Sequence, residues 1–243
     1  MKRLVTLVVA LAFAGAAFAL DFSVGARGNF NMGLGTTFEK ELQEDLKNMK
    51  DAGVDISYPL VVGGGFGVYG HIGFLDFANN LSLGATLEFG LNFHNGKSYK
   101  YNVDVEYNEY KKSISYSHTI DIPLMITLKV PVAETIKLDF GLGPNFSIPF
   151  GAGIVIGNED GSYEESPYKD NYDKVTYNMN IGLVFDADVG FKVGPGYVLV
   201  DVRYLLDFTL TTANLTDYGS SAEKSEMFYR RSLNIGVGYE FNF

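Results

Sequence analysis

Apolar and polar residues alternate along most of the chain, in eight separate stretches. In the clearest one, 81–93, the odd positions carry Leu, Ala or Phe and the even positions carry Ser, Gly, Thr, Glu or Asn. A period of two is typical of a β-strand with one apolar and one polar face. The eight predicted strands are 22–34, 61–72, 81–93, 114–129, 136–149, 177–192, 197–210 and 229–243.

The segments that link these strands alternate in length. Short links join every second pair of strands, at 73–80, 130–135 and 193–196, and the last of these contains a Gly-Pro-Gly turn. Long polar links join the other pairs, at 36–60, 95–113, 150–176 and 211–228. In the first long link, Phe38–Lys50 has apolar residues at helical spacing, which predicts a short helix.

Strands of even number with tight turns at one end and long links at the other predict an all-β fold, an eight-stranded antiparallel up-and-down transmembrane β-barrel. Its four long loops would be extracellular and its three short turns periplasmic. A soluble barrel shows the same alternation with its apolar face turned inward, so the faces need a separate argument.

Glycine supplies that argument. It is concentrated on the polar faces, whereas the apolar faces carry only Gly28, Gly64 and Gly70. Glycine weakens a strand that faces solvent, but it relieves crowding inside a narrow eight-stranded barrel. The apolar faces also carry no Asp, Glu or Lys, and only His118 and Arg231 among charged or ionisable side chains. We therefore expect the polar face to line the lumen and the apolar face to contact lipid.

The charged residues on the polar faces form the first candidate site, a lumen charge network. If the Gly194–Gly196 turn closes symmetrically, Arg203 falls opposite Asp186 and Asp201 opposite Asp188. The network would either pack the lumen as paired charges or line an acidic path for ions or solutes, and the narrow bore favours packing. Its predicted members are Arg27, Glu88, Asp139, Asp186, Asp188, Asp201, Arg203, Arg230 and Glu240.

The first residues of the chain resemble a targeting segment. Lys2 and Arg3 precede an apolar run that ends in Ala17-Phe18-Ala19, the order of a secretory signal peptide. We expect cleavage after Ala19, which leaves residues 20–243 as one barrel domain. The alternative is an uncleaved helical anchor, for which the run is at the short limit.

Charge and composition narrow the chemistry. The formal net charge of −10 and the pI near 4.7 argue against a nucleic-acid partner. The chain has no cysteine, so a disulfide framework and a cysteine zinc site are excluded. We expect no cofactor and no metal centre.

Two further groups of residues invite a chemical role. His118 follows Ser115 and Ser117, but alternation places the histidine on the opposite face from both serines, so we predict no hydrolase and no enzyme. The third long link is rich in carboxylates and tyrosine and could hold a divalent cation or a ligand, although a solvated acidic loop is the simpler interpretation. These residues are Glu159, Asp160, Tyr163, Glu164, Glu165, Tyr168, Asp170, Tyr172 and Asp173.

The sequence resembles the small OmpX/OmpW-like outer-membrane β-barrel proteins in several segments. The final stretch 236–243, with Tyr239, Phe241 and the terminal Phe243 at alternate positions, resembles the C-terminal assembly signal of such proteins. The segments 120–125, 138–144 and 202–204 resemble their middle strands. The resemblance spans the mature chain.

That resemblance implies export through the general secretory route and residence in the outer membrane of a diderm bacterium. It implies periplasmic chaperones, the barrel-assembly machinery and outer-membrane lipid as partners, with extracellular ligands of the loops as a further possibility. Two functions remain open: porin-like or small-solute passage of the OmpW type, and a non-transport surface barrel that acts as an anchor or adhesin through its loops.

Overall fold

A computed structural model of the protein describes residues 21–34, 40–58, 60–77, 81–104, 109–157, 163–167, 174–209, 211–216, 223–228 and 230–243. The predicted signal peptide at 1–19 lies outside this range. Among the described residues, no helix is long and apolar enough to cross a membrane.

Eight long strands close into an antiparallel barrel. Each strand pairs with its sequence neighbours in the barrel, and the first pairs with the last through the ladder from Ser23–Asn242 to Gly33–Ser232. The barrel strands are β1 (Phe22–Gly33), β3 (Val61–Asp76), β4 (Ser82–Asp104), β5 (Glu109–Ala133), β6 (Ile136–Gly157), β9 (Asn180–Val193), β10 (Gly196–Asp207) and β13 (Arg231–Asn242).

The long links are partly ordered, which the alternation did not predict. The predicted helix is present as α1 (Lys40–Asp51). Strands β4 and β5 continue as a paired hairpin up to Asp104 and Glu109, well into the stretch 95–113. The remaining short strands are β2 (Ile56–Ser57), β7 (Tyr163–Pro167), β8 (Lys174–Tyr177), β11 (Thr211–Thr216) and β12 (Glu223–Phe228). Of these, β2 extends the edge of β4, β7 pairs with β6, and β8, β11 and β12 form a separate three-stranded sheet.

The two faces of the barrel wall point as expected. On neighbouring strands, Val68 and Leu87 are 56% and 55% exposed, whereas Glu88, the residue after Leu87, is 4% exposed. The buried side chains of the described barrel are mostly polar or charged, and the exposed large side chains are apolar. The arrangement with an apolar interior, which a soluble barrel requires, is therefore excluded.

The β9–β10 turn has the predicted form. Gly194 adopts a positive φ of 62°, a conformation that glycine tolerates and that a tight hairpin turn needs. Val193 pairs with Gly196, and this register places Arg203 opposite Asp186 and Asp201 opposite Asp188. The cross-strand pairs predicted from the turn are confirmed.

We expect a charge on the outer face to destabilise the barrel according to its depth. Val68→Lys, near the middle of β3, should lower the free energy of unfolding by about 2–4 kcal/mol, because lysine at mid-depth contacts hydrocarbon. Val62→Lys, on the same face at the end of the strand, should cost about 0–1 kcal/mol. Denaturant unfolding in lipid vesicles measures both, and equal effects would contradict the assigned face.

Candidate functional site in the barrel lumen

The structure places all nine residues of the predicted lumen network inside the barrel. Their hydrogen bonds and ion pairs fall into three groups, two of which also meet at Tyr69, whose ring centroid lies 4.9 Å from Arg27 Cζ. They separate into a middle group, a periplasmic group and an extracellular group, and each group includes contacts between strands that are distant in sequence.

The middle group joins opposite walls of the barrel. Arg203 on β10 donates hydrogen bonds from Nη1 and Nη2 to Glu88 Oε1 and Oε2 on β4, each at 2.9 Å. Arg203 also donates to Asp186 from Nε at 3.3 Å and from Nη2 at 2.9 Å. Arg27 donates from Nη2 to Glu88 Oε2 at 2.6 Å and from Nη1 to Asp186 Oδ2 at 3.2 Å. Since β4 and β10 lie four strands apart in the closed barrel, these bonds span its full width.

Asp188 and Asp201 are less well paired. Their carboxylates lie 3.7 and 3.6 Å from Arg27 Nη1, beyond hydrogen-bond distance. Asp188 Oδ1 and Asp201 Oδ2 accept no hydrogen bond. The ligand atoms of Asp186, Asp188 and Asp201 lie within 4.8 Å of one another. Arg27 Nη1 approaches all three, so its guanidinium is the counter-ion of this acidic cluster.

The periplasmic group is centred on Glu240. Its Oε1 accepts hydrogen bonds from Lys137 Nζ at 2.6 Å and from Lys129 Nζ at 3.1 Å, and its Oε2 accepts one from Tyr69 Oη at 3.3 Å. Lys137 also donates to Asp139 Oδ2 at 2.7 Å. Glu240 therefore links the last strand to β3, β5 and β6.

The extracellular group is centred on Arg230. This arginine donates from Nη1 to Asp121 Oδ2 at 2.9 Å and from Nη2 to Asp207 Oδ1 at 3.1 Å. Asp121 also accepts hydrogen bonds from Asn92 Nδ2 at 2.6 Å and Asn145 Nδ2 at 3.2 Å. All the carboxylates and donors of this extracellular group are buried on the lumen face.

Four charged partners are absent from the predicted network: Lys129, Lys137, Asp121 and Asp207. All four occupy polar-face positions within the predicted strands, so counting every inward charge there would have found them. The pairing itself depends on how the strands are staggered around the barrel.

An apolar layer separates the middle and extracellular groups. Val184 and Leu205 are cross-strand partners, one step from the Asp186–Arg203 pair toward the extracellular side, and they cluster with Met125. These three side chains are 0–1% exposed. Apolar side chains at a constriction exclude water and ions.

The lumen contains a small cavity. A cavity of about 10 Å³ lies between the middle and periplasmic groups, which is enough for about one water molecule. Polar side chains line most of it, including Arg27, His71, Lys129 and Asp188. Paired charges therefore lie in the lumen on both sides of this cavity.

Glycines on the lumen face make room for these side chains. Arg27 is flanked in register by Gly238 and Gly67. A Cβ at Gly67 would lie 2.7 Å from Glu88 Oε1, and one at Gly238 would lie 3.0 Å from Arg27 Cβ. Outward-facing Gly70, by contrast, has no heavy atom within 4 Å of such a Cβ. The glycine bias read from the sequence thus reflects close approach inside the barrel.

The histidine and serine near the start of β5 do not form a hydrolase pair. The His118 ring lies on the outer face among Phe93, Tyr116 and Phe150, with ring centroids 5.3–5.8 Å away. Ser117 is buried on the other face. The aromatic side chains instead form part of a girdle at the extracellular end of the wall.

The two remaining candidate groups lie at the ends of the barrel. In the acidic third link, Tyr163, Glu164 and Glu165 belong to β7, while Glu159, Asp160, Tyr168, Asp170, Tyr172 and Asp173 lie outside the described residues.

In the C-terminal strand, Tyr239 Oη donates to Val193 O at 2.9 Å, and the rings of Phe241 and Phe243 lie 5.0 Å apart. The role of these aromatics in assembly stays a prediction.

Residues 13–213 match the family described as "Outer membrane protein beta-barrel domain". Because this match covers most of the sequence, the chain belongs to that family and resides in the outer membrane. No curated protein is similar enough in sequence to count as a match.

Solved structures with a similar fold are outer-membrane proteins of low sequence identity. OprG from Pseudomonas aeruginosa is 14% identical, with 90% of this chain and 95% of that chain covered and a TM-score of 0.40. Neisserial surface protein A is 12% identical, with 91% and 97% covered and a TM-score of 0.37. The outer-membrane protease OmpT from Escherichia coli is 10% identical, with 92% and 96% covered and a TM-score of 0.39.

We expect removal of Arg203 to destabilise the barrel strongly. Arg203→Met would leave buried Glu88 and Asp186 short of a partner, which typically costs about 3–5 kcal/mol. Arg231→Met is the matched control, because Arg231 is exposed on the outer face, and its effect should stay within about 1 kcal/mol. The free energies of unfolding of both variants are measured in lipid vesicles. An equal loss of stability in the two variants would contradict the pairing of Arg203 with Glu88 and Asp186.

Proposed function

We propose that this protein is a non-transport surface barrel, an anchor that holds β-structured extracellular segments at the cell surface. The observation that carries the proposal is the closed lumen. Steady passage through a barrel needs a continuous water path, and here paired charges span the bore while Met125, Val184 and Leu205 occupy the next layer.

The structure beyond the wall supports this role. From Asn92 to Asp104, β4 follows roughly 40 Å of strand path, and β5 pairs with it from Glu109 onward. The edge strand β2 and the β7 extension of β6 widen the same sheet. The three-stranded sheet of β8, β11 and β12 is built from the third and fourth long links. These extracellular strands would bind extracellular ligands.

The proposal includes no catalytic step. His118 is packed among aromatic rings on the outer face, and the buried carboxylates of the lumen contact arginine and lysine. A catalytic carboxylate needs access to a substrate, which these positions lack.

One feature favours small-solute passage of the OmpW type as a second candidate. The β5–β6 register runs from Pro123–Asn145 directly to Ile126–Leu142 and omits the pairs at Leu124 and Met125. Pro123 and Pro144 lack the N–H groups that a complete ladder needs. The ladder between β5 and β6 is therefore interrupted beside the apolar layer, and an apolar solute could leave sideways there.

We expect the wild-type protein to show no steady conductance. Because the bore is closed by ion pairs and by the apolar layer, purified protein in planar bilayers should carry no sustained current, and liposomes that contain it should not swell in small sugars. Stable openings on the nanosiemens scale, or sugar-dependent swelling, would contradict the anchor proposal and favour transport.

We expect the extracellular hairpin to be dispensable for folding and necessary for binding. Replacing residues 95–117 by a short turn should leave the heat-dependent gel shift of the folded barrel unchanged, because the lumen groups lie below it. Bacteria that display the shortened protein should adhere less to plates coated with collagen or fibronectin than bacteria with the intact one. If bacteria with the shortened protein adhered to these coatings as well as bacteria with the intact one, the result would count against a surface role for this hairpin.

A further inference from the structure

The middle group is tied to the β4 wall by a single carboxylate. Glu88 accepts hydrogen bonds from both Arg27 and Arg203, at 2.6–2.9 Å. The other three acids of the group, Asp186, Asp188 and Asp201, lie on the neighbouring strands β9 and β10. The closure of the bore at this level therefore depends on the contacts of Glu88.

A second position for Arg27 lies close by. Its Nη1 is 3.7 Å from Asp188 and 3.6 Å from Asp201, less than about 1 Å beyond the length of a charge-assisted hydrogen bond. Asp188 Oδ1 and Asp201 Oδ2 accept no hydrogen bond in the observed state. Arg27, Asp186 and Asp188 all line the small cavity between the middle and periplasmic groups.

The group contains more carboxylates than guanidinium groups, and its net charge is the same in either arrangement of the arginines. Four carboxylates face two guanidinium groups, so both arginines can stay paired when Glu88 is released. Arg203 already makes two hydrogen bonds to Asp186, which would hold it on the β9–β10 side.

We propose that the middle group is a two-position latch, in which Arg27 and Arg203 hold Glu88 in the closed barrel and move onto the acids of β9 and β10 when the bore opens. Released Glu88 must be hydrated, because an unpaired buried carboxylate is costly. The open state is therefore a minor state at rest, and water must also enter past Met125, Val184 and Leu205. This inference is independent of the proposed surface role.

Bilayer recordings of matched charge variants test the latch. Glu88→Gln removes the tie and should raise the fraction of time spent open at least tenfold over wild type at the same voltage. Adding Asp188→Asn and Asp201→Asn to that variant removes the second position, so Arg27 stays in the bore and the open fraction should return toward the wild-type value. If the loss of negative charge alone controlled opening, the open fraction would change in the same direction in both variants.

Two results would overturn the latch: a Glu88→Gln barrel that stays as closed as wild type, or a triple variant that opens as often as Glu88→Gln. The heat-dependent gel shift shows that each variant is folded. If Glu88→Gln does not fold, Glu88→Asp keeps the charge but shortens the reach by one methylene, and it should open more often than wild type; an unchanged open fraction there also overturns the latch. Failure of the latch would leave the adhesion test of the hairpin unaffected.

Discussion

The ion pair between Arg203 and Glu88 crosses the full width of the barrel, and the rest of the lumen is arranged around it. A carboxylate and a guanidinium are stable in this dry interior only because each makes several charge-assisted hydrogen bonds. Their fixed positions require small residues on the wall beside them, which explains why glycine is abundant on the lumen face of β3 and β13. The same pairing places charged side chains across the bore, where they obstruct a continuous column of water.

The charged groups and the apolar layer close the lumen at different depths. Glu240 joins the last strand to three others near the periplasmic end, where the chain terminus must be secured against β1. Arg230 and its two aspartates brace the opposite end. Between the arginine groups, the apolar layer makes water entry unfavourable even if some charges rearrange. A barrel with these features is better suited to hold extracellular structure than to pass solutes continuously.

The sequence predicts the wall of the barrel better than its contents. Strict alternation in 81–93 identifies which side chains face lipid, since charge on a lipid face is costly, and the Gly194 turn fixes the cross-strand partners of Asp186 and Asp188. The alternation does not predict the hairpin beyond Asn92, because strands that extend past the membrane wall have no lipid-facing side that would require it.

The inward contacts were not predictable for a different reason. Whether Glu240 meets Lys137 or another cation depends on the stagger of the strands, a property of the closed barrel that no local segment encodes. Met125, Val184 and Leu205 occupy polar-face positions with apolar side chains, so their shared layer emerges only when three strands are brought together.

The most direct test of the closed lumen is thiol labelling, because the chain contains no cysteine of its own. Val184→Cys places a thiol in the apolar layer of the lumen, and Val202→Cys places one on the lipid face. In intact lipid vesicles, a water-soluble maleimide should leave both unmodified, and it should modify both once the proteins are unfolded in denaturant, where the thiols can ionise. Rapid modification of the Val184→Cys protein by the water-soluble reagent would show that the lumen is open to water and contradict the account.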